Sequence, residues 1–171
     1  MILTDPDRYP MLLQAVILGM GATLFMDLVA SARRRFFNTP SLDYALVGRW
    51  IGYLPRGVFI HRPIVKTAPV TGEKALGWGT HYLIGIVFAA LFLMIETPDW
   101  PGRPELLPSL GFGLLTVAAP FFLLQPCLGA GIAARNTPHP WLARLNSATA
   151  HLSFGLGLWV TGWVMALAVW G

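Results

Sequence analysis

Apolar residues run along this chain in four stretches, at 10–32, 73–95, 106–129 and 145–170, separated by segments where Pro, Gly and Arg collect. Each stretch approaches or exceeds the ~20 residues that an α-helix needs to cross the hydrocarbon core of a bilayer. Toward one end of each run stands one strongly polar residue: Asp27, His81, Gln125 and His151. The pattern predicts an all-α membrane protein with four transmembrane helices.

The polar positions also repeat. Asn38-Thr39-Pro40 follows Asp27 at eleven residues, and Asn136-Thr137-Pro138 follows Gln125 at the same spacing. Each of these turns precedes an apolar run carrying His-x-x-x-Gly, at His81 and at His151. The chain therefore reads as a single domain, 1–171, made of two duplicated helical hairpins at about 10–95 and 106–170, with a parallel pseudo-two-fold along the membrane normal. The first hairpin carries an insertion at about 41–72. Within it, 41–54 (SLDYALVGRWIGYL) has a Ser N-cap signal at Ser41 and suits an interfacial or re-entrant helix, being too short to span. Small residues on the second and fourth helices (Gly77, Gly85, Ala89; Ser147, Gly155) and on the first (Gly19, Thr23) share a face with the polar residues and turn them toward neighbouring helices. Pro120 and Pro126 should kink the third helix around Gln125, and the aromatic belt should include Trp100, Trp159, Trp163 and Trp170.

Charge orients the helices. Ten of the twelve Lys and Arg residues lie between helices one and two or between three and four, against Arg8 and Arg103 on the other side. The positive-inside rule then puts both basic loops in the cytoplasm and both termini outside. The formal charge of +4 is thereby a topology signal, and no nucleic-acid partner is expected. With 55% hydrophobic and 12% charged residues, the chain has too little polar surface to cover a soluble globule. Ala30-Ser31-Ala32 has the form of a signal-peptidase site, but Asp5, Asp7 and Asp27 and the arginines that follow argue for an uncleaved anchor. The one cysteine, Cys127, excludes an internal disulfide.

Depth brings the polar residues to one level. Asp27 lies six residues before Arg33, His81 seven after Lys74 and His151 seven after Arg144, so each sits about 9–10 Å inside the cytoplasmic border. Three readings of this layer stand side by side. Buried Asp, Gln and His can hydrogen-bond between helices and hold the bundle together. They can handle a proton or a solute, because intramembrane ionisable residues are costly unless paired. Or His81 and His151 can hold a haem, or with Asp27 a metal in a two-histidine, one-carboxylate set. No cofactor is predicted. The Asn-Thr-Pro turns read first as helix exits, and Arg49, Arg56 and Arg135 as contacts for anions or headgroups. With no P-loop, nucleophile elbow, zinc-protease helix or cysteine pair, an enzyme is disfavoured, a lipid-headgroup enzyme being the weaker alternative.

The strings 40–50 (PSLDYALVGRW), Gly72-Glu73 with Leu76-Gly77-Trp78 and His81-Tyr82, Gln125-Pro126, and Thr137-Pro138 with Pro140-Trp141 resemble a small bacterial inner-membrane family, domain of unknown function 2938. The resemblance covers nearly the whole chain and implies a multi-pass inner-membrane location, with no activity attached. The functional expectation is a small solute- or proton-handling membrane protein, acting as a homo-oligomer. The alternative is a structural or partner subunit of a membrane complex.

Overall fold

A computed structural model describes residues 11–96 and 100–170, with the side chains of Val169 and Trp170 left aside. Asp5, Asp7, Arg8 and the ring of Trp170 therefore lie outside the described residues. The elements in order are α1 (Met11–Phe37), α2 (Tyr44–Tyr53), α3 (Glu73–Ile95), α4 (Leu106–Leu115), α5 (Gln125–Leu128) and α6 (Pro140–Trp170). Four stretches are long and apolar enough to cross a membrane: α1, α3, the composite Leu106–Leu128, and Pro140–Ala168 of α6. The chain is an all-α membrane protein, as its hydropathy pattern predicts.

The bundle is held by close backbone approach at small residues. α1 lies between α3 and α6, and α6 between α1 and α4. A Cβ at Gly19 would reach the backbone of Gly85 and Ile86 at 2.5–2.8 Å, and one at Gly157 would reach Ala22 at 2.8 Å. Gly113 and Gly155 face each other across α4 and α6 in the same way. In lipid, where apolar burial gives little drive for helix association, such approach is what dispersion attraction needs. Leu18, Ala22, Ala89, Phe92, Trp100, Phe154 and Leu158 form the core, with Phe92 edge-on to Trp100 at 4.7 Å.

Several expected boundaries are corrected. α1 continues through Arg33, Arg34 and Arg35 to Phe37, because nothing in that run breaks a helix until Asn38 takes a left-handed conformation (φ 49°). The insertion helix starts at Tyr44 and is capped by Asp43, whose Oδ1 accepts from the Ala45 N–H at 3.0 Å, so Ser41 is not its cap. α6 begins five residues earlier than the expected 145, with Pro140 at its first position, where a missing N–H costs nothing. Trp100 is buried at 3% exposure, since the Trp100–Gly102 turn folds its indole back onto Phe92 and Gly162.

The third span is broken. Ala119 donates to the Thr116 carbonyl that Pro120 cannot serve, and Pro120–Leu124 is a π-helical turn closed by the Gln125 N–H on the Pro120 carbonyl. The chain then ends α5 at Gly129, in the left-handed region at φ 91°.

α2 runs antiparallel to α3. Gly77 meets the Tyr44 carbonyl, Gly48 meets the Glu73 carbonyl, and Gly52 meets Val70, so the first residue of α2 lies deepest along α3 and its last nearest the loop. Segment 57–72 returns over this end of the bundle, where the His61 N–H donates to the Cys127 carbonyl at 2.8 Å.

Candidate functional site

Asp27 on α1 and His81 on α3 meet between the spans, with His81 Nε2 3.0 Å from Asp27 Oδ1. Their side chains are only 15% and 9% exposed. They face each other because Gly19, Thr23 and Asp27 share one face of α1, and Gly77, His81 and Gly85 share one face of α3. Gly85 leaves room for the Thr23 hydroxyl, so the helices come close one turn beyond the pair.

Aromatic rings enclose the imidazole. The Tyr44 ring from α2 stacks on His81 at 4.0 Å between centroids and 24° between planes. Trp78 and Tyr82 present themselves at steep angles, at 5.8 and 5.5 Å. Burial, together with the Asp27 carboxyl, holds the Tyr44 phenol well above its ordinary pKa. Asp27 Oδ2 and the Thr23 hydroxyl are buried without a hydrogen-bond partner.

His151 takes a different partner. Its Nδ1 lies 2.8 Å from the Thr116 hydroxyl at the end of α4, within electrostatic reach of His81 but bonded to neither His81 nor Asp27 among the described residues. Gln125, spaced as the counterpart of Asp27, instead donates to Ser147 at 3.1 Å, one turn before His151 on α6. Of the four polar residues expected in one layer, Asp27 and His81 are joined directly, and Gln125 and His151 are attached to neighbours on their own side. No group of three or more His, Cys, Asp and Glu is gathered to hold a metal among the described residues.

Arg49 is an internal strut. It holds Glu73 through Nε at 2.9 Å and Nη2 at 2.8 Å, and its Nη1 donates to the carbonyls of Thr67 (2.9 Å) and Ile64 (3.4 Å). The hydrogen bonds it donates to the Glu73 carboxylate raise its guanidinium pKa further. It is thus committed to the fold and not to an anion, a correction that follows from Glu73 standing one helix away at bidentate distance. Arg56 lies over the Tyr53 ring at 4.9 Å, while Arg135 is exposed.

The Asn-Thr-Pro turns serve the chain exits. Asn38 ends α1, and the Thr39 N–H returns to the Arg33 carbonyl at 3.4 Å before Pro40. In the second turn Ala133 and Ala134 take the left-handed conformation, and Thr137 closes on the Ala134 carbonyl ahead of Pro138, while the Asn136 N–H bonds to Ala130.

His61, which sequence patterning did not single out, is 4% exposed, with Nδ1 3.0 Å from the Thr67 hydroxyl and Nε2 unpartnered. Its only signal was an apolar neighbourhood in an otherwise polar loop.

Fold and site together define a four-span helical membrane protein with a carboxyl–imidazole pair between its first two spans, covered by a short antiparallel helix. The chain belongs to the family described as protein of unknown function (DUF2938), whose model matches residues 16–165. No curated protein and no solved structure matches it.

Proposed function

We propose that this is a proton-handling protein of the bacterial inner membrane, with Asp27 and His81 as the exchanging pair. The observation that carries the reading is the 3.0 Å contact between the two inside the bundle, with the second carboxyl oxygen unpartnered. A carboxyl and an imidazole that share one hydrogen bond in a low-dielectric setting can pass a proton between them, and such residues are expensive to keep in a membrane without use. Tyr44, Trp78 and Tyr82 pack directly around the imidazole, an arrangement suited to a proton more than to a bulky solute. The charge asymmetry supports both termini outside and the pair on the cytoplasmic side. The two His-x-x-x-Gly helices each cross their hairpin partner at that glycine, which supports the duplicated origin, although α1 lies along α6 far more closely than α3 along α4.

A second reading has its own observation. The bonds Thr116 to His151 and Gln125 to Ser147 join the third and fourth spans as packing contacts would, which favours a structural subunit. Proteoliposomes containing a luminal pH indicator separate the two. After an external pH step, the wild type should show protein-dependent proton movement that Asp27→Asn and His81→Gln abolish without loss of folding. Equal proton movement in the wild type, in folded Asp27→Asn and in empty vesicles would leave the structural reading. Impermeant labelling of single cysteines in a Cys127→Ala background tests the orientation, which requires position 56 to be protected from the periplasmic side.

A further inference from the structure

We infer that segment 56–66 is an amphipathic surface seated in the headgroup layer of the cytoplasmic leaflet, where Arg62 and Lys66 bind the phosphates of anionic lipids. The segment lies outside the four spans, yet it exposes Phe59 (60%), Ile60 (61%) and Val65 (62%) while burying His61 (4%) and Ile64 (2%). An exposed apolar triplet on a membrane-spanning chain is explained by lipid where it lies within a span, but these residues belong to a connecting loop.

The segment is held in shape. The Trp50 indole donates to the Phe59 carbonyl at 2.9 Å, the His61 N–H donates to Cys127, and the Lys66 N–H closes a turn on Pro63 at 3.1 Å. These bonds fix which side chains turn out. The anchor at Cys127 matters most, because Cys127 lies in the last turn of the third span, and the segment therefore stays level with the helix ends. At that level an outward Phe and Ile meet the boundary between headgroups and acyl chains.

Charge identifies the lipid. Among the cations of the first loop, Arg49 is spent on Glu73 and Arg56 lies over Tyr53, whereas Arg62 and Lys66 are exposed and bracket Val65, and their side chains make no hydrogen bond or ion pair among the described residues. Two free cations beside an apolar ridge complement an anionic leaflet, and each contributes severalfold to retention at the surface.

The test uses full-length protein in nanodiscs of phosphatidylcholine with and without phosphatidylglycerol. Nitroxides at Ile60→Cys and Val65→Cys, in a Cys127→Ala background, should collide with oxygen more than with a water-soluble nickel chelate, and one at Ala68→Cys should show the reverse. In cysteine-intact protein, native mass spectrometry should show phosphatidylglycerol adducts falling about fivefold per charge removed in Arg62→Gln and Lys66→Gln, with Arg103→Gln as the unaffected control. Nickel access at positions 60 and 65 would overturn the inference, as would adducts insensitive to both charges. Protection from both relaxants would overturn it in favour of a protein partner.

Discussion

Replacing Gly77 by Ala should lift α2 off the site, and the structure sets the size of the effect. An added Cβ would collide with the Tyr44 carbonyl and approach the Gly48 backbone, and since these are backbone atoms no side-chain rotation relieves the clash. Overpacking of this kind costs about 1–3 kcal/mol. Gly79, two residues on along α3, supplies the control, because a Cβ there meets nothing within 4 Å. Ala at that position should be neutral or stabilising by up to about 1 kcal/mol through helix propensity. By soluble-domain scaling, Gly77→Ala should lower the melting temperature in detergent by roughly 2 to 12 °C while Gly79→Ala leaves or raises it. The Tyr44 ring must move with its backbone, so Gly77→Ala should also disturb the stack on His81, readable as a shift of the His81 ring resonances. Equal melting temperatures for the two variants would refute the close antiparallel seating of α2.

Arg49→Met should free segment 57–72 and open it to trypsin at Arg56 and Lys66, and Arg49→Lys should rescue only in part, since an ammonium cannot reproduce the two parallel bonds to Glu73; limited proteolysis measures this. In an ultraviolet alkaline titration, Tyr44 should stay protonated until the fold is lost, and Tyr44→Phe should reduce the late step by one tyrosine. Because the folded-state pKa of Tyr44 is raised, the unfolded chain releases its proton first, so stability should fall as pH rises above about 10, less so in Tyr44→Phe. Gln125→Leu should cost under about 1 kcal/mol, its carbonyl oxygen being unpartnered already, whereas Thr116→Val strands the His151 nitrogen at a cost of about 1–3 kcal/mol; chemical denaturation in detergent compares them.

How much of this was legible in the sequence depends on whether local or tertiary forces decided the outcome. The four spans follow from length and apolar content, which lipid imposes directly, and the meeting of Asp27 with His81 follows from helical stripes of small residues. The partner of His151 did not follow. Pro120 announces a disturbance, but whether the ladder kinks or adds a residue as a π turn depends on how Ala119 and Gln125 satisfy the carbonyls around it. Trp100 resembled a belt residue because composition cannot reveal that Pro101 and Gly102 fold its ring inward. Arg49 looked like any loop cation under the positive-inside pattern, and its role depends on Glu73, twenty-four residues away.

The antiparallel seating of α2 carries a consequence for the order of biogenesis. Its docking surface is the Gly77 face of α3, a helix that leaves the ribosome after it. The first span can therefore enter the bilayer, and the loop can wait in water, but α2 has nowhere to settle until the second span stands beside the first. During that interval Asp27 has met neither His81 nor its aromatic cover. Closing the roof then has to follow the second span, and the Arg49–Glu73 pair forms across that same contact.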